Sequence, residues 1–368
     1  GATADALKAF WAREYVPEAV TVFVVGDYDV DVVERAIKAR FGDWRAGPAE
    51  SPAKAGPLLP EPKLREDVHV DPALSERITV TRAGAWLDEP DSLAQRRENL
   101  LRQIGYSIIN RRLLRRTRED NAPFRNATFS GNEFFKEGRF SELAIDTVDG
   151  KWRRGLISAA QEYRAALTFG FSPAEVAEQL AIIRNSSKVA ADSAATRNHT
   201  QLVGAALALV NAEVVPDTPG NSLERLEAFV PEITPDKVLA ALRRELVPLD
   251  QPLLRFQGRT PPAGGAKGLR AAWDEAMRSA LQRPRQQAAG TFAYTQFGAP
   301  GSVISDEREK LMGIRQVRFA NGVRLNLKRT ELDKDKVLVQ VSVDGGNILA
   351  TKDNPLATRM VTVLSQGG

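Results

Sequence analysis

Histidine and cysteine, the residues typical of zinc sites and of thiolate nucleophiles, are scarce in this sequence. Histidine occurs only twice, at His69 and His199, and cysteine does not occur. A catalytic zinc site needs three protein ligands, usually imidazole, carboxylate or thiolate groups. No H-x-x-E-H, H-x-x-x-H or inverted equivalent can be written, and disulfide or thiolate chemistry is excluded. We therefore expect both histidines to be structural or surface residues, and this chain to hold no metal.

Other binding signals are equally sparse. Gly26-Asp27 could form a phosphate-binding turn, but no G-x-G-x-x-G or G-K-[ST] sequence accompanies it. The formal net charge of +4 is a mild bias, and no basic block is dense enough to predict a nucleic-acid partner. No uninterrupted apolar run approaches the roughly 20 residues that span a bilayer. We expect neither nucleic-acid binding nor a membrane span.

One basic stretch allows two interpretations. Five arginines fall within eight positions, namely Arg111, Arg112, Arg115, Arg116 and Arg118. They could be the solvated carboxyl end of a helix, where cations complement the helix dipole. They could also form a basic surface for an acidic partner, whose binding would then depend steeply on salt.

Apolar periodicity predicts an α+β fold. Apolar side chains at helical spacing, with hydroxyl caps such as Ser172 and Thr234, favour helices. The predicted helices cover residues 4–15, 30–41, 92–116, 151–168, 172–191, 193–211, 223–229, 234–246 and 269–281. Alternating or continuous β-branched runs favour strands. The predicted strands cover residues 20–25 (buried on both faces), 76–82, 124–131, 140–148, 253–258, 319–327 and 337–343. We expect a mostly antiparallel sheet with helices on one face.

Changes in composition divide the chain. Residues 46–64 are a connector rich in Pro, Ala and Gly, and residues 258–311 carry further Pro and Gly pairs around one short helix. We interpret residues 1–257 as one domain, 258–311 as an interdomain linker and 312–368 as the beginning of another domain. The sequence has no initiator methionine and stops in mid-motif, so we expect a segment of a larger protein.

Several phrases resemble the M16 (pitrilysin, insulinase and mitochondrial processing peptidase) family of zinc metallopeptidases. Across residues 7–48, the order helix, Y-V-P-E-A, strand, V-G-D-Y-D, helix, F-G-D-W is that of the start of the second M16 domain. The phrase N-G-V-R-L at residues 321–325 resembles the opening of a further such domain. Residues 292–303, FAYTQFGAPGSV, are similar to the bacterial PqqL-like subgroup. The resemblance implies a whole second, non-catalytic domain, a linker and the start of a third domain.

The same resemblance implies that this segment lacks the family's chemistry. An active M16 domain carries H-x-x-E-H on the helix after its opening strands. Here Thr358 and Thr362 stand at the histidine positions and Val361 at that of the glutamate base. Threonine is a poor zinc ligand beside imidazole, and valine cannot accept a proton from water. Zinc is therefore expected in the full-length protein, in a domain upstream of Gly1, and not in this segment.

The resemblance also implies a role in holding peptide. Arg118 matches an arginine that, with a tyrosine seven positions later, holds substrate in active relatives; here Arg125 stands at that later position. Arg118, Phe124 and Arg125 are thus candidate substrate-binding residues, and an open strand edge at 76–82 could pair with extended peptide. The expected partners are peptide substrate and the remaining domains of the same protein. The alternative function is a non-catalytic M16-like scaffold. The subgroup implies a periplasmic location; the alternative is cytoplasmic.

Overall fold

The chain forms two compact units. The computed structural model describes residues 2–45, 47, 65–283, 296, 298–331 and 337–355. The first unit is built from residues 1–188 and 197–284, and the second from residues 189–196 and 285–368.

A five-stranded sheet organises the first unit. Its strands are β1 (Glu66–Val70), β2 (Arg77–Ala85), β3 (Asn126–Phe134), β4 (Gly138–Asp146) and β5 (Leu253–Gly258). Their spatial order is β1-β5-β2-β4-β3. β1 and β5 are parallel, while the other neighbouring pairs are antiparallel. The predicted α+β class and mostly antiparallel sheet are confirmed.

The helices of the described residues follow the predicted order. They are α1 (Ala4–Glu14), α2 (Val30–Phe41), α3 (Leu93–Arg116), α4 (Trp152–Phe169), α5 (Pro173–Asp192), α6 (His199–Ala212), α7 (Pro219–Phe229), α8 (Pro235–Glu245) and α9 (Gly265–Arg278). α3, α4 and α9 pack on one face of the sheet, and α8 packs against α3. This confirms the prediction that helices cover one face.

Local capping explains where several helices begin. Ser92 Oγ accepts the Gln95 amide at 3.1 Å, which satisfies one free amide of α3. Ser172 and Glu175 form a reciprocal capping box, because each side chain accepts the other's backbone amide. The predicted single helix over 193–211 is wrong, since a 3-10 turn precedes α6 and Asn198 caps α6 separately.

The core lies between the sheet and the helix layer. Ile78 and Val80 of β2, and Leu143 and Ile145 of β4, are fully buried and alternate with residues on the opposite face. α9 also belongs to this core. Four of its side chains, Leu269, Ala272, Trp273 and Ala276, are at most 1% exposed. The helix expected in the linker is thus packed on the sheet, which extends the first unit beyond residue 257.

The amino-terminal segment contributes little to that core. Among residues 2–45, only Val16 is buried, and no residue of this segment joins the core cluster. The predicted strand over 20–25 is wrong: Val20, Val22 and Val24 are 39–48% exposed and pair with no strand among the described residues. The β-branched run favours extended backbone, but a strand also needs a partner for its amides.

The strands described in the second unit form a three-stranded sheet. Its strands are β6 (Val303–Arg308), β7 (Arg315–Phe319) and β8 (Arg324–Leu327), in that order. The run predicted as a strand over 319–327 is divided by a turn at Asn321-Gly322, a pair that favours tight turns, with Gly322 at φ 89°. The predicted strand over 337–343 is wrong, because those residues pair with no strand among the described residues and their valines are at least 80% exposed.

Candidate functional site

The candidate site is the face of the five-stranded sheet that lies opposite α3, α4 and α9, called the open face below. Because side chains alternate along a strand, the residues between the buried positions point away from the helices. Register aligns Thr81 with Glu142 on β4 and with Leu253 on β5. One row further along, Ala83 lies opposite Phe140. These residues are half-buried or exposed, so the face presents a mixture of hydroxyl, aromatic and charged groups.

A cleft of about 330 Å³ lies on this face. Its floor is formed by Thr79, Thr81 and Ala83 of β2. Phe134 and Phe140 line one part of it, with ring centroids 6.1 Å apart. Leu253, Arg255 and Glu142 complete the lining. The cleft is therefore mostly apolar, with one acidic and one basic side chain.

The charged groups on this face differ in their partners. Arg255 donates from Nε to Asp67 Oδ2 at 2.8 Å. Arg77 pairs with Asp146 at 3.3 Å. Glu142 accepts only a long hydrogen bond from Thr81 Oγ1, at 3.4 Å, and within the described chain no basic side chain lies within ion-pair distance of it. The two cations are thus neutralised locally, whereas the carboxylate of Glu142 is not.

The β3–β4 hairpin holds the aromatic part of the cleft in place. Its turn contains Phe135 and Lys136 in the left-handed region, at φ 52° and 55°. A bulky residue at positive φ is uncommon and carries backbone strain. Phe135 is nevertheless 85% exposed, so core packing does not explain its conformation. The turn brings Phe134 back beside Phe140.

The predicted peptide-binding edge at 76–82 is wrong. β2 lies inside the sheet, paired with β4 on one side and β5 on the other. Alternation reveals which residues are buried but not the order of strands, which depends on distant partners.

The sheet edges are β1 and β3, and at β3 a side chain of α3 pairs with the strand backbone. The side chain of Asn110 donates from Nδ2 to the Phe129 carbonyl at 2.9 Å and accepts the Phe129 amide at 2.8 Å. A Cβ at Gly131 would overlap the Tyr106 hydroxyl, which is bonded to Glu245. Burial and the adjacent Glu245 carboxylate raise the pKa of Tyr106.

The residues predicted to bind substrate fall in different environments. Phe124 is only 2% exposed and belongs to the core cluster, where it cannot reach a peptide. Arg118 and Arg125 are exposed near the start of β3. Their contact with substrate stays a prediction.

Most of the basic stretch is paired within the protein. Arg112 is 7% exposed and forms a bidentate pair with Glu175, at 2.7 and 2.8 Å. Burial acts to raise the pKa of Glu175, but hydrogen bonds from Arg112 and from Ser172 lower it overall. Arg111 pairs with Glu178, and Arg116 with Glu119. Because these acidic side chains already neutralise the arginines, the basic stretch is a poor docking surface for an acidic partner.

A larger groove, of about 550 Å³, lies among α3, α7 and α8. Its rim charges pair with one another: Arg97 with Glu232 at 3.6 Å, and Arg244 with Glu98 at 2.8 Å. Helical spacing predicts a core position for Leu93 on α3, but its side chain is 63% exposed at this groove. The neutralised rim offers no preference for a charged ligand, so the sheet face is the better candidate.

The residues present do not fit a zinc ion. His69 and His199 are both exposed, as expected for surface residues. Among the described residues, no group of three or more His, Cys, Asp or Glu side chains could hold a metal ion. Thr358, Val361 and Thr362 lie outside the described residues. No described helix is long and apolar enough to cross a membrane.

Sequence comparison defines the class. Residues 1–183 match the family described as the Peptidase M16 inactive domain. Protein YhjJ of Salmonella typhimurium is 24% identical over 274 residues, which cover 74% of this chain and 54% of YhjJ. The chain thus spans about half the length of this curated relative. Residues 1–183 of this chain belong to the M16 peptidase family, as its inactive domain.

Solved structures share the fold. The periplasmic protease PqqL from Escherichia coli matches with a TM-score of 0.65 at 16% identity, over 90% of this chain and 37% of PqqL. A mutant of the ferredoxin protease FusC, in complex with Arabidopsis ferredoxin, matches with a TM-score of 0.62 at 16% identity, over 89% of this chain and 37% of FusC. At these identities the likeness establishes the fold alone.

The cleft residues were not found by sequence reasoning. The signal was present, because Thr79 and Thr81 alternate with Ile78 and Val80, and Phe140 and Glu142 alternate with buried positions of β4. The outward residues of adjacent predicted strands would have suggested this surface once their pairing was known.

Proposed function

We propose that this chain is a non-catalytic middle segment of a zinc-dependent M16 metalloendopeptidase, and that the open face of its sheet forms part of the wall of a peptide-enclosing chamber. The observation that carries the proposal is the open sheet face with its mostly apolar cleft. Among the described residues of the first unit, α3, α4 and α9 cover the other face, while the cleft residues on this face are half-buried or exposed and so accessible to peptide. The segment would enclose and position peptide, while zinc and bond cleavage belong to another domain.

Two further parts of the proposal rest on relatives. PqqL is a periplasmic protease, and we place the complete protein in the periplasm. The first unit corresponds to the second domain of the peptidase, and the sheet of β6 to β8 to the beginning of the third.

The first test compares the complete gene product with the 368-residue chain for zinc content and peptide cleavage. We expect stoichiometric zinc and cleavage from the complete product, and neither from the chain alone. Absence of both from the complete product would favour the scaffold function. Zinc-dependent cleavage by the chain alone would contradict the proposal, because its described residues supply no three-ligand site.

A second measurement locates the peptide. A photo-crosslinking residue is placed at Thr128, which is exposed on the open face, or at Gln103, which is exposed on α3. A chelator prevents cleavage during labelling. We expect peptide to crosslink to the complete protein from position 128 and not from position 103. Equal crosslinking from both positions would contradict the proposal that peptide contacts the open face.

A further inference from the structure

The cleft on the open face carries a charge pattern that selects among peptides. Glu142 is half-buried in the middle of the sheet, and within the described chain it has no cationic partner. A partly desolvated carboxylate gains from a cation brought close to it, because interactions are screened less there than in water. The cleft therefore contains one acid that has no cationic partner among the described residues.

The aromatic lining favours the same kind of group. Phe134 and Phe140 lie beside Glu142 in the cleft, and their ring faces carry partial negative charge. A Lys or Arg head group over such a face is stabilised, and its aliphatic stem can cover apolar surface. The Leu253 side chain and the methyl groups of Thr79 and Thr81 supply that surface.

The basic side chain that lines the cleft, Arg255, does not oppose this preference for a cationic ligand. Arg255 lies within hydrogen-bond distance of Asp67, which compensates its positive charge. The volume of about 330 Å³ is at the small end of the range for ligand sites. This size suits one long side chain of an extended peptide rather than a folded partner.

We propose that the cleft binds a Lys or Arg side chain of an extended peptide, with the head group at Glu142 and the stem between Phe134, Phe140 and Leu253. This inference rests on the proposed function, since it assigns a sequence preference to the same open face. It makes the segment a determinant of which peptides are held, although it performs no cleavage.

The test uses short extended peptides, acetylated and amidated, that differ at one central position: Lys, Arg, norleucine or Glu. Fluorescence anisotropy with the 368-residue chain gives the dissociation constant of each peptide. Norleucine matches the stem of Lys but lacks its charge. We expect the Lys and Arg peptides to bind about tenfold more tightly than the norleucine peptide, with the preference reduced at high salt.

Substitutions assign the preference to the cleft. Glu142→Gln keeps the shape of the side chain and removes its charge, so it should weaken Lys-peptide binding about fivefold and leave norleucine-peptide binding unchanged. Phe140→Leu should weaken the Lys and Arg peptides selectively, because the ring face is lost. Glu133→Gln is the matched control, since Glu133 is an exposed carboxylate on β3 outside the cleft. Unchanged thermal midpoints would verify that each variant folds.

The experiments distinguish failure of the basic preference from failure of the proposed function. If the norleucine and Lys peptides bind equally, or the Glu peptide binds best, the basic preference is wrong while peptide binding at this face stands. If no peptide binds and position 128 does not crosslink, the proposed function fails as well. Loss of Lys-peptide affinity in Glu133→Gln to the same extent as in Glu142→Gln would also overturn the inference.

Discussion

Asp91 connects the start of α3 to the chain before α7. Its carboxylate accepts hydrogen bonds from Arg96, with Nε at 2.6 Å, and from the backbone amide of Val215 at 3.0 Å. The hydrogen bonds from Arg96 are the main cause of a pKa lowered to about 2, and the Val215 amide adds to it. The Asp91 side chain is only 11% exposed, so these interactions are shielded from solvent.

The lowered pKa predicts a loss of stability in acid. A carboxylate with a depressed folded-state pKa stabilises the fold above its ordinary pKa of 3.8, and this contribution disappears as the pH falls toward 2. We expect Asp91→Asn to lower the free energy of unfolding by about 1–3 kcal/mol at pH 7 and to flatten its pH dependence between about 4 and 2. Urea unfolding at a series of pH values measures both.

Asp88→Asn is the control for this prediction. Asp88 is exposed and lies three positions before Asp91. Its replacement should change the unfolding free energy by less than about 0.5 kcal/mol. An Asp91→Asn profile that runs parallel to the parent down to pH 2 would mean that the pair does not persist in solution.

Individual residue roles were the hardest feature to predict. Phe124 was a candidate substrate-binding residue from the resemblance to active relatives, yet its side chain is in the core. Conversely, Glu142 has no local motif, and its significance comes from residues of three other strands. Such neighbours are created by folding and cannot be inferred from spacing along the chain.

Elements were predicted well where their stability is local. α3 and α8 carry their own signals, namely hydroxyl caps and apolar residues at helical spacing. Strands depend on partners elsewhere. Residues 20–25 and 337–343 have strand-like sequences but find no partner among the described residues, whereas β1, with the sequence EDVHV, is paired by β5. Hydrophobic periodicity does not predict the order of strands in the sheet, and therefore does not predict which strands are its edges.

The contact between α3 and β3 predicts a specific defect. Asn110→Ala removes both hydrogen bonds to the Phe129 backbone and leaves a partly buried amide and carbonyl unsatisfied. We expect a loss of about 1–3 kcal/mol in unfolding free energy, since such groups retain their desolvation cost. The exposed strand edge should also increase self-association. Urea unfolding and light scattering at rising protein concentration measure the two effects.

Asn132→Ala provides the comparison on the same strand. Asn132 is exposed and makes only a 3.4 Å contact to Ser130. Its replacement should leave both stability and self-association unchanged. Similar behaviour of the two alanine variants would show that the edge is not protected by Asn110.

At the scale of the molecule, α9 decides where the first unit ends. A chain that stops at the predicted boundary, residue 257, lacks four helix side chains that are almost fully buried. Removing a buried Trp or Leu side chain typically costs about 2–5 kcal/mol each, which is comparable to the whole stability of a domain. We expect residues 1–257 to lack a cooperative thermal transition, and residues 1–284 to retain one.

Differential scanning calorimetry and dye binding to exposed apolar surface compare the two truncated chains. A cooperative transition of equal midpoint in both would support a domain boundary at residue 257. In the 368-residue chain, Trp273→Ala should lower the free energy of unfolding by about 3–5 kcal/mol, because this side chain is 1% exposed.

The position of β5 between β1 and β2 has a consequence for biosynthesis. Asp67 and Arg255, which face each other across the parallel pair, are 188 positions apart in the chain. At a translation rate of about 5–20 residues per second, β1 waits roughly 10–40 s on the ribosome before its neighbour is made. During that interval β2 presents an unpaired edge on the side that β5 later fills. The nascent chain therefore passes through a long period in which chaperones have access to the centre of the sheet.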